Sequence, residues 1–231
     1  MLKAVVFDVD GTLIDSVDAH AHAWQDVLAR YGHDVPFEQV RHQIGKGSDQ
    51  LLPVFLSKDE LERVGARIDK ERSDWFKENY LPQVRPFPNT RALFERIREA
   101  GKRIVLASSA KEDELEKYKE LARIGDLVET STSSDDAEKS KPYPDIFLAA
   151  LGRLKDVKPS EALVVGDTPY DAEAAGKAGM RTIALLCGGF PEAELRAAGA
   201  IALFRDPADL LARYDESPLA TRGIEDQGSS D

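Results

Sequence analysis

Apolar and polar positions recur along the chain with two different periods, and the changes of period mark out its organisation. Leu2 to Phe7 is a short apolar run rich in β-branched and aromatic residues, which predicts a buried parallel strand. It stops at Asp8-Val9-Asp10-Gly11-Thr12. From Ser16 to about Arg85 the period is helical. Val17, His20, Ala21, Trp24, Val27 and Leu28 share one face, and Gly32 ends that run. Pro36 to Ile44 is a second, shorter helical piece, broken by Gly45-Lys46-Gly47, after which Ser48 or Asp49 caps a further turn. Ser57-Lys58-Asp59-Glu60 reads as a capping box opening a long helix with Leu61, Val64, Ile68, Trp75 and Phe76 on one side. Pro82, Pro86 and Pro88 break the pattern, and this segment is expected to hold no strand.

Beyond Pro88 helix and strand alternate regularly. Helices are predicted over Asn89 to Ala100, Lys111 to Ile124, Pro144 to Leu154, Ala172 to Ala178, Pro191 to Ala198 and Asp206 to Tyr214. Strands are predicted over Arg103 to Ala107, Leu127 to Thr130, Ala162 to Val165, Arg181 to Leu186 and Ala200 to Phe204. Such alternation implies right-handed βαβ crossovers and a parallel sheet. The expected architecture is α/β: a Rossmann-like parallel sheet core with an inserted all-helical domain. Residues 1–15 and 86–215 would form the core, 16–85 the helical insert, and 216–231 a disordered, polar tail.

Composition narrows the partners. The 231 residues are 42% hydrophobic and 32% charged, an ordinary globular mixture able to bury a substantial core. A net charge of −11 argues against nucleic acid or an anionic membrane as main partner, though not against a small anionic substrate. Cys187 is the single cysteine, so no intrachain disulfide can form, and a reducing, cytoplasmic setting is expected. No signal peptide and no apolar run long enough to span a bilayer is apparent.

Candidate chemistry collects at the strand ends. Side chains two apart on a strand point the same way, so Asp8 and Asp10 project together. Two like charges there need a cation or a shared proton. Gly11 permits a tight turn, and Thr12 adds a hydroxyl and an N–H. Ser108 and Ser109, Lys141, Asp167 and Asp171 fall at later strand ends or loops of the same sheet edge, where open α/β sheets bind ligands. Each also has a structural reading. Ser109 with Glu112 spells a capping box, Lys141 could be a solvated loop lysine, and the two aspartates could be turn and cap residues. As a set they make a hard-oxygen site suited to magnesium beside hydroxyl and ammonium donors suited to phosphate oxygens.

Asp-x-Asp-Gly-Thr-Leu at residues 8–13 resembles the first motif of the haloacid dehalogenase superfamily, in its phosphotransferase branch. Ser108 after Ile104-Val105-Leu106-Ala107, Lys141 in Lys-Pro-Tyr-Pro-Asp-Ile-Phe, and Asp167 and Asp171 in Gly-Asp-Thr-Pro-Tyr-Asp resemble the other three. The resemblance implies that Asp8 is a nucleophile forming an aspartyl-phosphate and that Asp10 is the acid and base. Ser108 and Lys141 would bind phosphate, with Gly11, Thr12 and Ser109 beside them. Asp8, Asp10, Asp167 and Asp171 would hold magnesium, and residues 16–85 would be the family's helical cap. An aspartate at position 10 favours a phosphate ester, whose alkoxide leaving group needs a proton, over halide displacement. His20 and the Gly45-Lys46-Gly47 loop would contact substrate from the cap. His20-Ala21-His22-Ala23-Trp24 is similar to the first cap helix of β-phosphoglucomutases. The fourth motif and the cap loop look more like phosphoglycolate phosphatases. The expectation is hydrolysis of a small phosphorylated metabolite by a monomer or small homo-oligomer. The alternatives are a phosphosugar mutase and a non-catalytic binding protein on the same fold.

Overall fold

The computed structural model describes residues 1–220. Its chain order begins with β1 (Ala4–Phe7) and β2 (Ile14–Asp15), then α1 (Val17–Arg30), α2 (Phe37–Arg41), α3 (Ser48–Phe55) and α4 (Lys58–Asn79). After β3 (Arg85–Pro86) follow α5 (Thr90–Glu99), β4 (Arg103–Ala107), α6 (Glu112–Ala122), β5 (Thr130–Thr132) and α7 (Asp145–Arg153). The chain continues through β6 (Ala162–Gly166), α8 (Pro169–Lys177), β7 (Arg181–Leu185), α9 (Glu192–Ala197), β8 (Ala200–Phe204) and α10 (Pro207–Ala212).

Six strands form one parallel sheet in the order β5-β4-β1-β6-β7-β8. β1 lies inside it because its four residues are apolar and small enough to be covered on both faces. Val5 pairs with Ile104 on one side and Leu163 on the other. The strand's alternation then sorts its side chains into two cores. Val5 and Phe7 pack with Leu93, Phe94 and Ile97 of α5. Ala4 and Val6 pack with Ile146, Phe147 and Ala150 of α7 and with Ala174 and Ala175 of α8. Fully burying a side chain such as Phe7 contributes roughly 1.5–3 kcal/mol, so Phe7→Ala would cost about 3–5 kcal/mol once its cavity is included. The chain leaves β1 toward β4 on one side and returns through β6 on the other, which opens a crevice at the carboxyl end of β1.

The four helices between β2 and β3 have their own apolar cluster, built from Trp24, Val27, Leu28, Val40, Leu51, Leu52 and Ile68 among others. The expected capping box forms: Glu60 N–H donates to Ser57 Oγ and the Glu60 carboxylate accepts from Ser57 N–H at 3.1 Å. β2 and β3 pair antiparallel where the chain enters and leaves this segment. The sequence pattern gave no sign of them, since two residues carry no period and one is the helix breaker Pro86.

Three further expectations are corrected. No capping box joins Ser109 to Glu112; Lys111 precedes α6 without a side-chain cap, and Ser108 Oγ instead accepts from Ala110 N–H at 3.0 Å. β5 falls at Thr130–Thr132 rather than from Leu127, because the amides of Leu127 and Val128 turn back to Ile124 O. The tail expected from Glu216 is ordered through Ala220, since Leu219 is fully buried in the core that also holds Tyr214 and Phe204. The rest of that expectation, 221–231, lies outside the described residues. Among the described residues no helix is long and apolar enough to cross a membrane.

Candidate active site

Asp8 immediately follows β1, and its N–H donates to Val165 O of β6 at 2.9 Å, so the sheet ladder itself fixes its position. Lys141 arrives from the loop before α7 and is fully buried. A buried ammonium persists only beside counter-charges. Its Nζ donates to Asp8 Oδ1 and lies 2.7 Å from Asp171 Oδ1. Burial opposes the charge on Lys141, but Asp171 and Asp8 outweigh it and hold the ammonium protonated. Asp171 is fixed from behind by a capping box at the start of α8. Thr168 N–H and hydroxyl donate to its Oδ2 at 3.0 and 2.7 Å, and Asp171 N–H donates to Thr168 Oγ1 at 3.2 Å.

Asp167 completes this group. The Thr12 hydroxyl sits 2.8 Å from Asp167 Oδ1 and 3.0 Å from Asp8 Oδ2, bridging the two. Asp167 Oδ2 is buried and has no hydrogen-bond donor. Space is kept clear around it. A Cβ at Gly188 would stand 1.7 Å from Oδ2, and one at Gly11, whose φ is +79°, would stand 2.3 Å away. Oxygens of Asp8, Asp167 and Asp171 lie within 4.8 Å of one another. Burial pushes Asp8 up to about 7, with Lys141 opposing and Asp171 adding to the rise. Burial, then Asp8 and Asp171, raise Asp167 well above the carboxylate range. Three carboxylates, one with an orphaned oxygen, offer a hard-oxygen donor set that fits a small divalent cation.

Asp10 is not part of that group; its side chain joins His20 and Glu114 instead. Of the four aspartates expected to hold a metal, three side chains are thus grouped and that of Asp10 stands apart. The physical reason is local: Gly11 turns the chain directly after Asp10, and Ser16 and His20 at the start of α1 supply donors on that side. Asp10 Oδ1 accepts from Ser16 Oγ at 2.6 Å and lies 2.9 Å from His20 Nε2. The imidazole stacks on Phe76 of α4 at 3.9 Å and is 3.1 Å from the Tyr118 hydroxyl, which donates to Glu114 Oε1 at 3.3 Å. Burial pushes Asp10 up, but the charge and hydrogen bonds of His20 prevail and hold it below its ordinary value.

The two clusters border a cavity of about 100 Å³ between the sheet edge and the helical segment. Of the residues singled out in the sequence, Asp8, Asp10, Ser109, His20, Gly45, Lys46 and Gly47 line it. Ser108, Lys141, Gly11 and Thr12 do not, and the amides of Gly11 and Thr12 are already bonded to Ile14 O and Val9 O. The two loop glycines are required by close approach. A Cβ at Gly45, φ +102°, would meet Thr168 Cγ2 at 2.6 Å, and one at Gly47 would meet Ser140 Oγ at 2.0 Å. Lys46 Nζ donates to Gln43 Oε1 at 2.6 Å and sits 4.6 Å over the Tyr170 ring, where burial lowers its pKa. The sequence reading missed Arg72, Asp69, Tyr118 and Glu114. A signal existed: Asp69, Arg72, Ser73 and Phe76 recur at helical spacing, which puts a charged pair on the inward face of α4.

Buried carboxylates beside a buried lysine at the carboxyl edge of a parallel sheet, under a helical segment, define an α/β protein with a charged site at its sheet edge. The haloacid dehalogenase-like hydrolase family matches residues 5–185, and the chain belongs to it. The chain is 28% identical over 188 residues to a phosphoglycolate phosphatase of Aquifex aeolicus, covering 81% of this chain and 86% of that one. It is 29% identical over 224 residues to a phosphorylated carbohydrates phosphatase of Thermotoga maritima, covering 91% and 97%. The solved structure of a hydrolase from Pseudomonas syringae superposes with a TM-score of 0.83 at 26% identity, covering 93% of this chain and 98% of that one. The protein is therefore a hydrolytic enzyme of this family.

Proposed function

We propose that the protein is a magnesium-dependent phosphatase that hydrolyses small phosphate monoesters through an aspartyl-phosphate on Asp8. The observation that carries this reading is Asp8 itself: a carboxylate on the cavity wall, paired with a buried lysine and beside a second carboxylate whose oxygen has no donor. Asp8, Asp167 and Asp171 would hold the ion, which supplies positive charge between the nucleophile and the phosphoryl oxygens. Residues 16–85 serve as the cap that excludes bulk water. Phosphatase names among the relatives support a phosphorylated small molecule as substrate. The unpaired Cys187 supports a reducing, cytoplasmic setting.

In the first step an Asp8 oxygen attacks phosphorus as the ester P–O bond breaks, and Asp10 gives a proton to the leaving oxygen. In the free site Asp10 is held ionised, but a phosphoryl dianion arriving beside it raises its affinity for a proton. In the second step Asp10 takes a proton from water, the water oxygen bonds phosphorus, and the Asp8–phosphorus bond breaks to release phosphate. Ser108 and Lys141 position the phosphoryl group through this exchange.

Cleavage of p-nitrophenyl phosphate by the purified protein tests the reading. Magnesium should support it, EDTA should abolish it, and Asp8→Asn should lower it on the order of 10⁴-fold or more, as expected for a nucleophile. Undiminished turnover in EDTA, or in Asp8→Asn, would overturn the assignment. Isomerisation of β-glucose 1-phosphate faster than phosphate release would make the enzyme a mutase.

A further inference from the structure

Asp10, Tyr118 and Glu114 converge on one atom. Asp10 Oδ1 lies 2.9 Å from His20 Nε2, the Tyr118 hydroxyl 3.1 Å and Glu114 Oε1 3.7 Å. An imidazole nitrogen has one hydrogen or one lone pair, so it cannot satisfy all three oxygens. Glu114 is the least accounted for. It is 3% exposed and borders the cavity, and its Oε1 accepts from Tyr118. Among the described residues its Oε2 accepts no hydrogen bond. Burial raises its pKa; His20 opposes the rise, Asp10 adds to it and Arg72 opposes it. A carboxylate buried at a cavity wall with one oxygen unsatisfied is short of positive charge.

The spacing of the group matches a tetrahedral ion. Zinc holds imidazole nitrogen at about 2.0–2.1 Å and carboxylate oxygen at about 2.0–2.2 Å, which sets tetrahedral ligands roughly 3.3–3.6 Å apart. The observed 2.9 and 3.7 Å bracket that range, and ligand atoms of Asp10, His20 and Glu114 lie within 4.8 Å of one another. Stacking on Phe76 holds the imidazole and Tyr118 holds the Glu114 oxygen, as partners behind a metal site do. The cavity leaves a fourth position open. His33 and His42 each face a single carboxylate, Glu60 and Glu194, and offer no third ligand. Asp8, Asp167 and Asp171 present oxygen alone and suit magnesium, whereas an imidazole between two carboxylates suits zinc.

We propose that Asp10, His20 and Glu114 form a second metal site, selective for zinc and separate from the aspartate triad, through which zinc inhibits the enzyme. Zinc held there engages the lone pairs with which Asp10 exchanges its proton, so the leaving oxygen receives none. Binding through Nε2 leaves the ring's one hydrogen on Nδ1. The inhibition rests on the phosphatase reading; the binding does not.

The test uses cobalt(II) as probe and zinc to displace it, in the full chain with magnesium in excess. Four-coordinate cobalt absorbs visible light far more strongly than the six-coordinate ion of an oxygen-only site. The wild type should gain this absorption, and zinc should remove it. Glu114→Gln and His20→Gln should each weaken binding about tenfold or more, since even partners behind the ligands are worth about 10–100-fold. Asp167→Asn should leave the absorption in place. X-ray absorption by the zinc complex of the wild type should show a nitrogen ligand, a readout that stands even if a variant unfolds. Zinc should also inhibit cleavage of an alkyl phosphate at the concentration that displaces cobalt. Absorption that magnesium competes away, an oxygen-only zinc shell, or an affinity that Glu114→Gln leaves intact overturns the site. Zinc that binds here without slowing alkyl phosphate cleavage overturns the inhibition. Failure of the wild type to cleave any phosphate ester would count against the phosphatase reading instead, while the cobalt titration would still decide the site.

Discussion

Asp8 and Asp10 are separated by one residue, yet the clusters they join differ in what balances their charge. Around Asp8 the compensation is a single buried lysine shared by two aspartates, and a third aspartate is left with an orphaned oxygen. Around Asp10 it is an imidazole, a serine hydroxyl and a phenol, with the buried Glu114 carboxylate 3.7 Å from the imidazole. The first arrangement has a deficit of positive charge, and it raises Asp8 and Asp167. The second lowers Asp10, while burial raises Glu114 beside it. One strand end thus places two carboxylates in differently compensated surroundings beside one cavity.

The sharpest way to break this comparison is Asp10→Asn. If the Asp10 cluster handles the proton, the variant should lose about 10²–10⁴-fold in kcat on alkyl phosphates. The loss should be much smaller on p-nitrophenyl phosphate, whose leaving group needs no acid. Equal losses on both would make Asp10 a structural residue.

The charge-deficient cluster makes a prediction about stability without magnesium. Asp8 titrates near 7 in the folded protein and near its ordinary 3.8 when unfolded, so the folded state keeps a proton that the unfolded state has released. Stability that this proton provides is present at low pH and is lost as pH rises toward about 7. Thermal midpoints of the wild type in EDTA, relative to Asp8→Asn, should therefore fall between about pH 5 and pH 7. Each kcal/mol of the effect reads as about 2–4 °C for a chain of this size. Magnesium should flatten the trend. A gap that is constant with pH would show that the Asp8 cluster carries no charge deficit.

The smallest effect expected is that of Tyr118→Phe. It removes one hydroxyl, which bridges His20 and Glu114, and a hydrogen bond of about 1 kcal/mol corresponds to roughly a fivefold fall in kcat. The acid limb of the pH–rate profile should shift with it. A change in stability alone, with the profile in place, would reduce Tyr118 to a packing residue.

The α/β architecture and the parallel sheet were legible in the sequence because period and strand-end motifs are local signals. Asp8, Asp10 and Asp167 stood out for the same reason, as polar residues at the ends of apolar runs, whereas Lys141 and Asp171 stood out through the motifs they resemble. The partition of the carboxylates was not legible. It depends on which way Gly11 turns the chain and on donors from α1 and α6, contacts far apart in sequence. Tyr118 of α6 and Arg72 of α4 were not singled out, because helical spacing gives the face of a residue and not what stands opposite. The β2–β3 pair escaped notice since two residues cannot show a period.

That pair also bears on how the molecule could have been assembled. Asp15 and Arg85 are direct partners across it, so the helical segment begins and ends at one small antiparallel pair outside the six-stranded sheet. To the rest of the chain, a long insertion with touching ends costs little more closure entropy than a short loop, because that cost grows only as the logarithm of length. Strand register in the sheet is set without it, by β1, β4 and β6. The helical segment is modular in this sense. It can lengthen or shorten without disturbing strand register, but an exchange would take Ser16 and His20 with it, and so the groups that hold Asp10.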